Sequence, residues 1–278
     1  MGGVKKSTAL VLREINGPLT IEKVILDQLR PDEAKVDIHA SGICHTDLPF
    51  VEVGSYVNDF QIGDKVLLSF NHCTYCTTCK EPDVAYCDNF MALNFGGSRP
   101  DGTRPLYTST DKKPCNSNFF GQSSFMRTAT VHHSTMVKVP QETDLGLCAP
   151  LGCGLQTGAG CVFNTLHVGV GNSIVIFGVG TVGLAAVMAA KMAGASTIIA
   201  SDLSEARIRL AMELGATQTV SATVPDIVGE VRKVCSPLGV RFAIDETGNA
   251  QVIENMLAML APRRSKRGST KDRDDCQG

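Results

Sequence analysis

Between residues 8 and 140, apolar positions come in short bursts separated by turn residues. Lys35-Val36-Asp37-Ile38-His39, Lys65-Val66-Leu67-Leu68 and Met136-Val137-Lys138-Val139 each read as a short β-strand, the last one stopped by Pro140. Gly63-Asp64, Gly96-Gly97 and Pro100-Asp101-Gly102 supply the turns between such runs. From about residue 170 the pattern changes. Asn172 to Phe177 ends in the unbroken apolar run Ile174-Val175-Ile176-Phe177, which fits a strand buried on both faces. Thr181–Ala193 is an alanine-rich helix and Thr197–Ala200 a second strand. Ser204–Leu214 is a helix with a serine at its start and Gly215 at its end. Gln218–Val220 reads as a strand, Pro225 opens another helix, and Arg241–Ile244 is a fourth strand. This alternation predicts a parallel sheet with crossover helices, so the chain is α/β with a β-rich first part. No internal repeat interrupts the pattern.

The length of 278 residues leaves room for two cores. A formal charge of −2 removes the electrostatic basis for binding nucleic acid or an anionic membrane, and no apolar run is long enough to span a bilayer. Eleven cysteines without a secretory leader point to metal binding or catalysis in a reducing compartment, which places the protein in the cytoplasm. The final residues, 263–278, are dominated by charge: residues 263 to 275 hold six basic and three acidic side chains and no large apolar one, the composition of a disordered tail.

Two motifs carry chemistry. Cys73, Cys76, Cys79 and Cys87 follow the spacing C-x2-C-x2-C-x7-C. Two-residue gaps let a tight loop turn successive sulfurs inward, and the longer gap lets the chain return to complete a tetrahedron, as in a closed structural zinc site. An iron–sulfur cluster is the competing occupant of four thiolates. The second motif, Gly178-Val179-Gly180-Thr181-Val182-Gly183, lies directly after a strand and opens a helix. Gly178 permits the turn, Gly180 admits a pyrophosphate close to the backbone, and Gly183 allows strand and helix to pack. Asp202 stands nineteen residues beyond Gly183 at the end of the next strand. A carboxylate there accepts from ribose hydroxyls and disfavours a 2′-phosphate, selecting NAD.

Together with GICHTD (residues 42–47) and LGCGLQTGAG (151–160), these motifs resemble the zinc-dependent medium-chain alcohol dehydrogenases over about residues 8–258. The wording CDNFMALNFGGSRPDGT is most similar to their aryl-alcohol (benzyl-alcohol-type) branch. The resemblance implies a GroES-like catalytic domain over residues 1–150 with a structural zinc lobe at 73–87, and a Rossmann NAD-binding domain over 151–262. It further implies a catalytic zinc held by Cys44 and Cys153, with Thr46 accepting the substrate proton, His45 near the cofactor pyrophosphate and Arg207 beside the adenosine ribose. The metal would acidify an alcohol, and hydride would pass from its carbon to the nicotinamide. The implied activity is interconversion of an aryl or other primary alcohol and its aldehyde, with small molecules as the substrates. A homodimer is compatible with the resemblance, although the segment that commonly forms the family's dimer contact is missing.

The sequence departs from the family pattern twice. The third zinc ligand is a histidine in a G-H-E segment expected between GICHTD and V-E-x-V-G, but Val51-Glu52-Val53-Gly54 follows Phe50 at once. None of His39, His72, His132, His133 or His167 has a spacing that would replace it. The Rossmann region yields four strands where a full sheet has six, leaving the fourth as an edge beside uncovered apolar surface. Impaired catalysis is therefore the expectation, and a non-catalytic zinc- and nucleotide-binding remnant is the alternative.

Overall fold

The computed structural model describes residues 5–41, 46–81, 83–235 and 238–262, with residues 46–51 described by their backbone alone. The chain divides into two compact units, Met1–Gly154 and Leu155–Gly278.

The first unit is built from strands. Strands β1 (Lys5–Leu12), β2 (Leu19–Leu26), β3 (Glu33–Asp37), β4 (Ala40–Ser41), β5 (Thr46–Val53) and β6 (Lys65–Leu68) lead into two short helices, α1 (Thr77–Lys80) and α2 (Phe90–Phe95). Strands β7 (Leu106–Thr108), β8 (Thr128–His132) and β9 (Met136–Val139) and helix α3 (Leu145–Cys148) complete it. One sheet has the order β1-β2-β7; the larger one runs β8-β3-β5-β6-β9, with β4 paired to β5. Val24, Val36, Val66, Leu68, Ala129 and Val131 are essentially inaccessible and form the core between these strands. Strand β3 departs from simple alternation, because Glu33 and Lys35 are buried as well as Ala34 and Val36. Both charges are paired. Glu33 receives a two-pronged bond from Arg99 (2.6 and 2.9 Å), and Lys35 reaches Glu52 at 3.0 Å. Arg99, itself 3 % exposed, also donates to Asp27 at 2.7 Å.

The structure corrects the strand expected to reach His39: β3 stops at Asp37 and His39 lies in a bend. It also adds β5, which contains Pro49 and therefore has no strand signature of its own. Residues Asp47–Pro49 pair with Leu67–Lys65 of β6, whereas Phe50–Val53 pair with β3. The register shifts between Lys35 and Val36, leaving Val51 as the extra residue of a β-bulge.

In the second unit, helix α4 (Gly154–Gly160) passes into a π-helical turn, Cys161–Thr165. Then β10 (Ser173–Phe177), α5 (Thr181–Met192), β11 (Thr197–Ser201), α6 (Glu205–Leu214), β12 (Gln218–Thr219), α7 (Ile227–Val234) and β13 (Phe242–Asp245) alternate as the pattern predicts, and α8 (Ala250–Met259) follows them. The four strands are parallel in the order β12-β11-β10-β13. Helices α5 and α6 close one face over Ile174, Ile176 and Ile198. Val175, Phe177 and Ile199 on the other face meet Ile227 and Val231 of α7 and Met259 of α8. That second face corrects the expected uncovered surface: α8, absent from the sequence-level assignment, covers it. Strand β13 does lie at the sheet edge among the described strands, with one isolated bridge from Val240 to Leu260 beside it. The charged segment 263–278 lies outside the described residues.

Candidate functional site: a thiolate lobe and a dinucleotide cavity

The four cysteines Cys73, Cys76, Cys79 and Cys87 converge, with all four sulfurs within 4.8 Å of one another. They are the one such group among the described residues. Cys73 Sγ and Cys79 Sγ stand 3.9 Å apart. Zinc–sulfur bonds of about 2.3 Å in a tetrahedron require sulfurs about 3.8 Å apart, so the donor set fits zinc. Main-chain N–H groups support the thiolates: Cys76 donates to Cys73 Sγ at 3.3 Å and Cys73 to Cys87 Sγ at 3.4 Å. The hydroxyl of Thr78, 3.2 Å from Cys76 Sγ, is the main reason that this thiol falls to about 6. Cys79 is pushed up to about 12 by burial and then by its bond with Cys76. A divalent cation at their centre would deprotonate such thiols outright. Helices α1 and α2, of four and six residues, are too short to be stable alone. The lobe therefore needs its metal and the aromatic packing of Phe90 and Phe95 on Phe120.

The proposed catalytic residues are only partly visible. Cys44 and His45 lie outside the described residues. Thr46 opens β5 and is paired with Ser41 of β4, so the strand begins immediately after that segment. Cys153 follows the 3₁₀ turn Ala149–Gly152, which packs against β5 and β6. Gly152 makes this approach possible: a Cβ there would lie 1.8 Å from the carbonyl oxygen of Leu68. The segment that carries Cys153 is thus held against the strand that starts at Thr46. Between Thr46 and Val53 the chain is a continuous strand of eight residues, without any excursion that could bear a further ligand. His132 and His133 stack on each other at 4.5 Å, and His132 bonds Ser134 and faces Asp32. Burial, then His133, lowers the His132 pKa.

In the second unit, the turn after β10 has the geometry its glycines imply. Gly178 adopts φ +80°, and a Cβ on Gly183 would meet the Gly178 carbonyl oxygen at 2.0 Å. A Cβ on Gly180 would meet nothing within 4 Å, so the backbone there faces open space. Gly180 is also the N-cap of α5 and offers no side chain, leaving first-turn N–H groups available to an anion. These residues border a cavity of about 670 Å³ that Asp202, Arg207, Thr247 and Glu246 also line. Asp202 is 8 % exposed; its carboxylate accepts from Val179 N (2.9 Å) and Ser204 N (2.8 Å), with Arg207 at 3.8 Å. Ser204 occupies the N-cap of α6 without a capping side-chain bond. The buried hydroxyl of Ser201, in the same lining, has no hydrogen-bond partner among the described residues. Volume, open phosphate turn and ribose-level carboxylate fit a nicotinamide dinucleotide. Ser201 and Glu246 belong to this cavity but carry no motif, and only the strand ends on which they sit could have suggested them.

A nucleotide-binding parallel sheet joined to a β-rich unit with a four-cysteine lobe defines a zinc-binding dehydrogenase fold. Residues 49–141 match the alcohol dehydrogenase GroES-like domain, and residues 181–264 match the zinc-binding dehydrogenase domain. The chain is 37% identical to a geraniol dehydrogenase of Castellaniella defragrans, the match covering 91% of this chain and 73% of that protein. A benzyl alcohol dehydrogenase structure from Acinetobacter calcoaceticus superposes with a TM-score of 0.86 at 32% identity, covering 96% of this chain and 79% of that one. An alcohol dehydrogenase zinc-binding domain protein from Burkholderia ambifaria gives the same TM-score at 36% identity, with coverage of 93% and 75%. The chain belongs to the zinc-dependent medium-chain alcohol dehydrogenases, oxidoreductases that act on CH–OH groups with zinc and a nicotinamide dinucleotide. No single helix among the described residues is long and apolar enough to cross a membrane.

Proposed function

We propose that this chain binds NAD and one structural zinc, is directed at aryl or other primary alcohols and their aldehydes, and turns them over slowly because its catalytic metal site lacks a ligand. The observation that carries the reading is β5, where an uninterrupted strand joins Thr46 to Val53 and leaves no loop for a third donor. Cys44 and Cys153 would hold the catalytic zinc, which supplies an acid strong enough to ionise an alcohol. Two protein ligands hold zinc weakly, since catalytic sites ordinarily use three. Thr46 would take the alcohol proton, and His45 would stand at the pyrophosphate. Asp202, with both oxygens already fixed, would accept from the adenosine ribose, and Arg207 would flank it. The names of the similar proteins, which cite geraniol and benzyl alcohol, support the substrate class.

Metal analysis and steady-state assay of the same preparation test this. One zinc per chain with NAD binding and turnover on benzyl alcohol at least about a hundredfold below an intact dehydrogenase is the expected outcome, given the cost of losing a metal ligand or its support. Two zincs per chain with rapid turnover would show that another group completes the site. One zinc with no turnover at all would favour the non-catalytic remnant, for which the complete cysteine lobe and the dinucleotide cavity are the supporting features.

A further inference from the structure

Three charged side chains line the dinucleotide cavity among the described residues: two carboxylates, Asp202 and Glu246, and one cation, Arg207. Asp202 is committed to Val179, Ser204 and Arg207. Glu246 is placed differently. It directly follows β13, and its main-chain N–H donates to the Phe177 carbonyl at 2.8 Å. A Cβ on Gly178 would lie 3.2 Å from the Glu246 carbonyl carbon, so this residue stands against the glycine turn itself. The neighbouring ends of β10 and β13 are where the strand order reverses, the crevice in which doubly wound sheets bind their ligands. A dinucleotide brings two phosphate charges to that turn, and the one cation of the lining among the described residues, Arg207, is paired with Asp202.

We propose that Glu246 is a proton-linked determinant of dinucleotide affinity: in its neutral form it admits the pyrophosphate at the Gly178–Thr181 turn, and in its charged form it repels it. The inference rests on the dinucleotide-binding reading above. The surroundings of Glu246 favour the neutral form. Although the side chain is open to the cavity, burial and then the like charge of Asp245 raise its pKa. Asp245 is held as an acceptor by Thr247 and Gly248. From the π-helical turn, the thiol of Cys161 is pushed up by burial and by Glu246, so it stays neutral and gives no compensating charge. Across the cavity, Arg207 is engaged with Asp202. Bound pyrophosphate should raise the pKa of Glu246 further. Binding then takes up a proton, and affinity declines as the pH rises through the titration of this group.

Calorimetric titration of NAD into the full-length protein from pH 5 to 8.5, in two buffers of different ionisation heat, reads affinity and proton uptake together. Wild-type Kd should weaken on the order of tenfold across this range, the size of one like-charge contact in well-hydrated surroundings, with net proton uptake on binding. Glu246→Gln should bind about tenfold tighter than wild type at the alkaline end and lose both the slope and the uptake. A histidine elsewhere as the source would leave the slope in Glu246→Gln, which overturns the proposal, as does wild-type binding without proton uptake. If Glu246→Gln does not fold, as thermal unfolding would show, the same titrations on Glu246→Asp and the wild-type proton uptake decide. Absence of NAD binding at every pH in a folded wild type would defeat the dinucleotide reading and this inference together; tight binding with a flat pH profile would defeat the inference alone.

Discussion

Under the proposed reading Asp202 would couple two tasks: its Oδ2 accepts from Val179 N in the glycine turn and its Oδ1 from Ser204 N, and the same carboxylate would be offered to the ribose. Asp202→Asn keeps a similar shape and removes the charge, so the ratio of NAD to NADP affinity should drop about tenfold or more, measured as two dissociation constants. Arg99 poses the opposite case, a charge with no visible ligand role. Its guanidinium is buried with Glu33 and Asp27, and Arg99→Ala would strand the Glu33 carboxylate inside the first unit. Denaturant unfolding should show a loss of about 3–5 kcal/mol, the usual cost of breaking a buried pair from one side. The two residues also differ in how they could be read. Asp202 announces itself by its distance from GVGTVG and its place after a strand. Arg99 bonds residues 66 and 72 positions away, a relation that no local spacing records.

At the level of elements, the second unit was the more legible. A buried parallel strand needs a continuous apolar run and its crossover helix a repeating alanine face, so β10, α5, β11 and α6 declare themselves locally. The larger sheet of the first unit depends instead on pairings such as β3 with β8, which local patterns do not encode. Helix α8 went unread because its apolar residues are spread among polar ones and only their packing on Val175 and Phe177 gives them meaning. Two elements invite tests. Cys87→Ser should release the lobe zinc and make residues 73–95 accessible to proteolysis, followed by metal analysis and limited digestion. His132, at the end of β8, has its pKa lowered in the fold by burial and by His133. The unfolded chain therefore binds the extra proton first, and thermal stability should fall as the pH drops below about 6.5, the unperturbed value. His132→Gln should lessen that decline, as melts recorded across the pH range would show.

For the whole molecule, the division into two units predicts two separable responses. NAD at about a hundredfold excess over its Kd should stabilise the second unit by about 2.7 kcal/mol through mass action, whereas a chelator should destabilise the first. Calorimetric scans with each addition should move different transitions; a single transition shifted by both would contradict independent units. Family membership follows from motifs in both units, which is why the sequence alone was sufficient for it. The competence of the proposed reaction centre was less accessible, since it would depend on Cys44 and Cys153 sharing a metal, and Cys44 lies outside the described residues. One detail of β5 bears on that centre. Its first half belongs to the ladder with β6 and its second half to the ladder with β3, and Val51 is the spare residue at the join. Additional chain spliced in beside Val51 would flip neither ladder, because each keeps its own alternation of faces. The fold thus carries a built-in insertion point: under the proposed reading, a histidine-bearing segment grafted between Phe50 and Val51 would have a route to supply a third donor while both flanking ladders stay in register.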